Sequence, residues 1–170
     1  MGYFDGFKQE LIHAMGASGV FEGIEIAEEF RPDARAGPLR QAMICVGIDE
    51  IHSEAGGAQY IGVSGGDGAE VYGKTMRITA SLRVYVPTQD GGSSCHAVFS
   101  RIADFLLLGR NALKTSALKC GELGYHNGLC AYTLTALAEF KTTAVNQYLD
   151  GEVISSVLVT RTGGQSETGG

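Results

Sequence analysis

The sequence contains no tryptophan and only three prolines, and its four cysteines form no CxxC pair. The cysteines are Cys45, Cys95, Cys120 and Cys130. Without a secretory signal they are expected to stay reduced, with Cys45 inside an apolar strand. A structural zinc is the minor alternative, with ligands drawn from Cys95, His96, Cys120, His126 and Cys130. Their spacing matches no compact zinc pattern, so no metal site is predicted. A domain of 170 residues buries about 70% of its unfolded surface and needs neither disulfides nor a metal for stability.

Long apolar runs and an excess of basic residues are also lacking. No run approaches the roughly 20 residues of a membrane-spanning helix, and the opening MGYFDGFKQELI lacks the features of a signal peptide. We therefore expect the protein to stay in the compartment where it is made. The 13 Lys and Arg against 19 Asp and Glu give a net charge of −6. This negative net charge argues against a dedicated nucleic-acid binder. It is compatible with a surface past which DNA moves without being bound.

Glycine, by contrast, is abundant, with 25 copies. Many of them concentrate in the segment 53–73, which contains GGAQYIGVSGGDGAEVYG. This segment is predicted to be a long loop or an extended flexible hairpin. A stretch of this length inside a compact domain is typically either functional or disordered.

The clearest structural signal is the alternation of apolar and polar residues over Met76–Val86, which predicts a half-buried strand. Pro87 ends this strand, and a turn at Gly91–Ser94 offers the start of a helix. Apolar side chains then recur at helical spacing before a stop at Gly109, namely Val98, Ile102, Phe105 and Leu106. This helix is expected to cover the apolar face of the strand before it.

The remaining patterns predict a first helix over residues 3–15 and four further strands. These strands are expected at Gly23–Phe30, Gln41–Ile51, Leu129–Lys141 and Glu152–Thr160. A short segment centred on Leu118 and a polar turn at Asn146–Gly151 separate the later elements. The order α-β-β-loop-β-α-β-β predicts an α+β fold, with two helices packed on one face of a mostly antiparallel sheet. Residues 1–162 are predicted to form this single domain, and residues 163–170 a flexible tail.

One string has the form of a nucleotide-binding site. GAEVYGKT at Gly68–Thr75 matches the G-x-x-x-x-G-K-[ST] phosphate loop, in which Lys74 would contact phosphates and Thr75 magnesium. The strand before it ends in Asp49 and Glu50, which resembles an acidic metal-holding strand. The context disfavours this interpretation, because such a loop must lead into a helix, whereas Lys74 and Thr75 lead into the predicted strand.

No other pattern predicts catalysis. His13, His52, His96 and His126 are scattered, and none has a serine or cysteine partner in a known nucleophile motif. GxSxG, HExxH and paired-carboxylate patterns are absent. The sequence therefore predicts neither an enzyme nor a cofactor.

Two groups of charged residues are expected on strand surfaces. Glu25, Glu28 and Glu29 form an acidic patch that is typical of a solvated strand face. Arg77 and Arg83 lie on the polar side of the predicted strand Met76–Val86. A solvated face is the default for these arginines, and a salt bridge between subunits is the alternative.

The order of elements and several strings resemble the tail terminator proteins of tailed phages and related contractile particles. The resemblance rests on the opening helix, AGPLRQAMICVGIDEI, the glycine-rich excursion, a strand ending in VYVP, the helix GGSSCHAVFSRIADFLL and two closing strands. It covers most of residues 3–160 and concerns the architecture more than fixed residues.

The resemblance implies a virion protein, made in the bacterial host cytoplasm, that forms a hexameric ring on the head-proximal end of the tail tube. This ring would end tube polymerisation and dock the tail to the neck, in contact with tube subunits, a connector and any sheath. Genomic DNA would pass through it without specific binding, which suits an acidic protein. The resemblance implies no catalytic, cofactor or metal-binding residues.

Subunit contacts in this type of protein are made by the long loop and the sheet edges. We therefore expect Tyr60, Val63, Tyr72, Arg77 and Arg83 at the subunit interface. The first alternative is another head–tail completion factor or a tail-tube subunit. The remote alternative is a small nucleotide-binding enzyme that uses Gly68–Thr75.

Overall fold

The computed structural model describes residues 3–29, 37–63, 68–109 and 113–148. The fold is α+β, as predicted, with two helices and a mostly antiparallel six-stranded sheet. The elements in chain order are α1 (Tyr3–Ala17), β1 (Glu25–Glu28), β2 (Met43–Ser53), β3 (Gln59–Val63), β4 (Glu70–Pro87), α2 (Ser93–Ala103), β5 (Thr115–His126) and β6 (Ala131–Tyr148). Among the described residues, no helix is both long and apolar enough to span a membrane.

The strands lie in the order β1-β2-β4-β6-β5, and β3 pairs with β4 beside this path. β1 and β2 are parallel, whereas β3 with β4 and β5 with β6 form antiparallel pairs. Short connections favour the antiparallel pairs, because a tight turn reverses the chain directly. The parallel pair instead needs the longer crossover that runs between Glu28 and Met43.

The chain divides into two compact units. Unit 1 comprises Met1–Ile51 and Ile78–Phe140, and unit 2 comprises His52–Arg77 and Lys141–Gly170. Strand β4 contributes residues to both units, as do β2 and β6.

The core of unit 1 lies between the helices and one face of the sheet. In α1, Leu11 and Met15 are buried one turn apart, and the helix ends before Gly19, which adopts a left-handed conformation with φ of 70°. In α2, Val98 and Ile102 have the same spacing and are also buried. Both helices contribute to one cluster with alternate strand residues, including Ala80, Leu82, Val84, Leu134, Ala136, Ala138 and Phe140. The prediction that both helices pack on one face is confirmed.

Helix α2 continues into a π-helical turn at Asp104–Leu108. This turn buries Phe105 and Leu106, whereas Leu107 and Leu108 are exposed. The side chain of Phe105 meets Phe21 edge to face, with ring centroids 5.5 Å apart. The widened turn therefore brings two adjacent large side chains into the core.

A second, smaller apolar cluster in unit 1 involves the alternate residues of the central strands. Its members are Leu39, Met43, Cys45, Tyr85, Leu129 and Ala131. Successive side chains of a strand point to opposite faces of the sheet. Met43 and Cys45 therefore lie on one face, and Ile44 and Val46 of the main cluster lie on the other. Both faces of this part of the sheet thus bury apolar residues.

Unit 2 contains β3, the start of β4 and the end of β6. Tyr60 and Tyr72 are register partners on β3 and β4, and their rings meet edge to face at 5.9 Å. Of the apolar side chains described in unit 2, only Ala69 and Val145 are buried. Cross-strand pairing, more than a buried core, therefore holds this unit together.

Segment 53–73 is not one continuous loop, which was the first of the two alternatives predicted from the sequence. It contains the strand β3, and β4 begins at Glu70 instead of Met76. Glycine lowers strand propensity, but here pairing with β4 and the Tyr60–Tyr72 contact compensate. The hairpin alternative is the one that the structure contains.

The closing strands also differ from the prediction. The Leu118-centred segment is the twelve-residue strand β5, and β6 continues through Asn146 to Tyr148, where a polar turn had been predicted. The predicted strand Glu152–Thr160 and the predicted tail 163–170 lie outside the described residues.

Candidate functional site

The residues predicted to form a subunit interface fall into two groups. Tyr60 and Val63 lie on β3, and Tyr72 and Arg77 lie on the part of β4 that belongs to unit 2. Arg83 lies further along β4, in unit 1. The structure brings Tyr60 and Tyr72 together as a cross-strand pair. The assignment of all five to an interface stays a prediction.

Strand β3 exposes an unusual amount of apolar surface for its length. The exposed fractions are 56% for Tyr60, 51% for Ile61 and 54% for Val63. The sequence of β3, QYIGV, contains no charged residue and no proline. Within the described residues β3 pairs only with β4, so it is an edge strand. Natural proteins normally protect such an edge with charges, proline or a covering segment.

The other two edge strands in the described part of the chain carry such protection. Strand β1 has four residues, two of which are Glu25 and Glu28. Strand β5 carries Lys119 and Glu122, and its pairing with β6 is irregular between Cys120 and Leu123. Short length, charge and bulges all discourage pairing with a foreign strand. Strand β3 is also short, and its pairing with β4 is irregular between Tyr60 and Gly62. It is nevertheless the one of these three edges that carries no charge, and in this respect it is the least protected.

Most of the phosphate-loop string, from Glu70 to Thr75, lies in strand β4. Lys74 and Thr75 lie inside β4, and the carbonyl of Thr75 accepts a hydrogen bond from the backbone N–H of Glu54 at 3.1 Å. Gly73 is buried, and a Cβ there would approach Thr143 Cγ2 at 2.8 Å and Ile61 Cδ1 at 2.9 Å. A phosphate loop needs free backbone N–H groups at the start of a helix, and this string offers an extended strand instead.

Arg77 takes part in an ion-pair cluster within unit 2. Its Nε lies 3.5 Å from Glu54 Oε1, and Lys141 Nζ lies 3.4 Å from the same oxygen. Two cations therefore share one carboxylate. Because the three side chains are partly exposed, the cluster contributes little to stability.

Arg83 forms an ion pair with Glu29 across strand β2. The distance between Arg83 Nη2 and Glu29 Oε1 is 3.0 Å. The Glu29 side chain occupies the space above Gly47, where a Cβ would lie 2.5 Å from Glu29 Oε2 and 2.9 Å from Ser81 Oγ. Gly47 thus lets an acid on one side of β2 reach an arginine on the other. Both charges can be recognised from the sequence as strand-surface residues. Gly47 cannot, because its role depends on β2 lying between β4 and the residue that follows β1.

Tyr85 and Cys45 lie beside this ion pair in the smaller apolar cluster. Burial raises the pKa of the Tyr85 phenol, and a negative charge on the neighbouring Cys45 sulfur would raise this pKa further. Arg83 opposes this rise in the pKa through its charge and a hydrogen bond to the phenol. Tyr85 is therefore neutral at physiological pH and acts as a hydrogen-bonding, packed side chain.

The histidines and cysteines do not converge on a metal-binding or nucleophilic group. His126 Nδ1 accepts a hydrogen bond from the Leu129 N–H at 3.2 Å, and its ring meets Tyr85 edge to face. Cys45 and Cys95 are buried, whereas Cys120 and Cys130 are exposed. In the part of the chain that the structure describes, no group of three or more His, Cys, Asp or Glu side chains could hold a metal ion.

Comparison with known proteins adds no relative. Neither a protein-family model nor a curated protein sequence matches this chain.

Proposed function

We propose that this chain is a structural subunit of a phage tail or a related contractile particle. Copies of it assemble into a ring, six in number as in the tail terminators it resembles. The ring caps the head-proximal end of the tail tube, ends tube polymerisation and presents a docking face to the neck.

The exposed edge strand β3 is the observation that carries this proposal. A soluble chain that leaves an uncharged apolar edge open is prone to edge-to-edge aggregation unless another strand covers it. Assembly with identical subunits covers such an edge on every copy. A ring results when the contact joins two different surfaces and the rotation between copies closes.

The net charge supports a ring through which genomic DNA passes without being bound. A net charge of −6 per chain gives a closed ring of six copies a strongly acidic character. Such a ring repels the DNA phosphates and lets DNA pass without a bound state. A dedicated basic lumen would retain the genome at the neck.

The first test is the mass of the purified protein in solution. Light scattering is expected to give about 107 kDa, six times the 17.9 kDa of one chain, and negative-stain electron microscopy is expected to show rings. Ile61→Lys places a charge on the exposed β3 edge and is expected to yield monomers. Val20→Lys, at an exposed apolar position outside the strands, is the matched control and should still form rings.

The second test separates a terminator from a tube subunit. A tail terminator added to polymerising tube protein shortens the tubes and is found at one end, whereas a tube subunit polymerises into long tubes by itself. A strict monomer at high concentration, with no ring in assembled particles, would contradict the proposal.

A further inference from the structure

We infer that the ring contact is a sheet-to-sheet joint in which β3 of one copy pairs with β5 of the next copy. This inference rests on the proposed ring and names the surfaces that form it. It follows from a comparison of the three edge strands that the described residues contain, namely β1, β3 and β5.

Strand β3 needs an apolar partner strand. Its three large side chains, Tyr60, Ile61 and Val63, are each more than half exposed. Added strands gain affinity from main-chain hydrogen bonds and specificity from the side chains that they place on both faces. An edge that buries these side chains must therefore offer apolar groups of its own and at least five residues of extended backbone.

Strand β1 does not meet these conditions. It has only four residues, and Glu25 and Glu28 are two of them. Pairing β3 with β1 would place uncharged apolar side chains against carboxylates and cost their desolvation.

Strand β5 does meet them. It is twelve residues long, and Leu123 and Tyr125 on it are 43% and 48% exposed. Gly124 lies between them and leaves the backbone accessible to a neighbouring strand. Lys119 and Glu122 lie before this Leu-Gly-Tyr stretch and favour registers in which Leu123 and Tyr125, rather than Lys119, face the apolar residues of β3.

Pairing of β3 with a second β3 is the competing arrangement. That contact is self-complementary and stops at a dimer, and it leaves Leu123 and Tyr125 exposed. A β3–β5 contact instead joins two different edges, so each copy contacts one neighbour through β3 and the other neighbour through β5. Successive copies can then be added until the ring closes.

The native Cys120 on β5 allows a direct test, since this thiol is exposed. Three variants, Tyr60→Cys, Ile61→Cys and Val63→Cys, are made in a Cys130→Gly background, which removes the other exposed native thiol. The proteins are treated with a short bis-maleimide and separated on denaturing gels. At least one variant is expected to give a ladder from dimer to hexamer.

The matched control is the same set of variants with Cys120→Ala, which is expected to remove the ladder. Cross-linked dimers that persist without Cys120, with no higher species, would show β3–β3 pairing and overturn the inference. Light scattering on the same samples tests the ring separately from the β3–β5 joint. A ring without any ladder refutes the β3–β5 joint alone, whereas a monomer refutes the ring as well.

Amide hydrogen exchange on the unmodified protein gives an independent readout if a cysteine variant fails to assemble. The wild-type ring is compared with the Ile61→Lys monomer. Exchange in β5 around Leu123–Tyr125 is expected to slow at least tenfold in the ring, because these amides gain strand partners. Equal exchange of β5 in the two states would overturn the inference.

Discussion

The two units of this chain differ in how many apolar side chains they bury. Unit 1 buries apolar side chains from two helices and both faces of its strands, including Leu11, Leu82 and Phe140. Unit 2 buries little among its described residues and keeps Tyr60, Ile61 and Val63 exposed on one strand. Unit 1 therefore has the features of a scaffold that is stable alone, whereas unit 2 keeps apolar surface available for a partner.

The largest effect should come from removing a core side chain of unit 1. Leu134→Ala, at a position that is 1% exposed, is expected to lower the free energy of unfolding by about 3 kcal/mol, because it leaves a cavity. Val63→Ala in unit 2 should change it by less than about 0.5 kcal/mol. Both are measured by urea denaturation in the Ile61→Lys background, so that assembly does not contribute. Equal losses of unfolding free energy in the two variants would contradict this difference between the units.

Glycine positions offer a finer comparison. A Cβ at Gly121 in unit 1 would lie 2.7 Å from the backbone carbonyl oxygen of Thr135, so Gly121→Ala should cost about 2 kcal/mol through backbone displacement. At Gly73 in unit 2 the nearest atoms belong to the side chains of Thr143 and Ile61, which can move, so Gly73→Ala should cost less than about 1 kcal/mol.

Gly124→Ala is the control for that pair, because the nearest atom to its Cβ is Thr133 Cγ2 at an ordinary 3.4 Å. This substitution should be neutral or stabilising by about 0.5 kcal/mol, since alanine loses less backbone entropy than glycine in a strand. Thermal and urea denaturation of the three variants test the order. A Gly73→Ala variant less stable than Gly121→Ala would contradict the description of unit 2 as the more adaptable unit.

Above pH 9, Cys95 in unit 1 should make the stability of the protein depend on pH. Burial raises the pKa of the Cys95 thiol above the usual 9.0. The folded state therefore binds this proton more tightly than the unfolded state, and its contribution is fully present below pH 9 and is lost as pH rises further. The slope is at most about 1.4 kcal/mol per pH unit. Cys95→Ala should flatten the decline of the unfolding free energy between pH 9 and 10.

Thiol labelling at pH 8 checks the same assignment without denaturant. Cys120 and Cys130 should react rapidly with an aromatic disulfide reagent, and Cys45 and Cys95 only after unfolding. Rapid reaction of Cys95 in the folded protein would contradict its placement in the core.

The smallest effects should come from the ion pairs. Glu54→Gln in unit 2 removes the partner of Arg77 and Lys141, and the free energy of unfolding should fall by no more than about 0.5 kcal/mol, because these groups are partly exposed. Glu29→Gln in unit 1 should cost up to about 1 kcal/mol, since its 3.0 Å contact with Arg83 is closer. Both losses should shrink in 1 M salt, and losses that persist there would require a different explanation.

The sequence predicted the elements whose residues alternate between a core and a polar environment. The strand over Met76–Val86 is the second half of β4, and the helix after Gly91 is α2 with its π-helical turn. In both the strand and the helix, burial of one face makes apolar residues recur at a fixed spacing that is visible in the sequence. The same alternation was the reason for disfavouring the literal phosphate-loop string, and Lys74 and Thr75 do lie in this strand.

The elements that the sequence analysis missed or shortened are exposed. In β5, Leu118 is half-buried but most other residues are exposed, so no alternation marks the strand. Strand β3 has two flanking glycine-rich stretches and gains its structure from pairing with β4. The least protected edge could not be identified from sequence, because edge position depends on strand order.

The gap above Gly47 has a consequence for sequences related to this one. A side chain at position 47 would displace the Glu29 carboxylate from its place beside Arg83. The three positions should therefore covary. Where a relative has a larger residue at position 47, we expect the acid at position 29 and the arginine at position 83 to be lost more often. An alignment of relatives would display this dependence as a correlated triplet made of one residue of β2, one of β4 and the residue that follows β1.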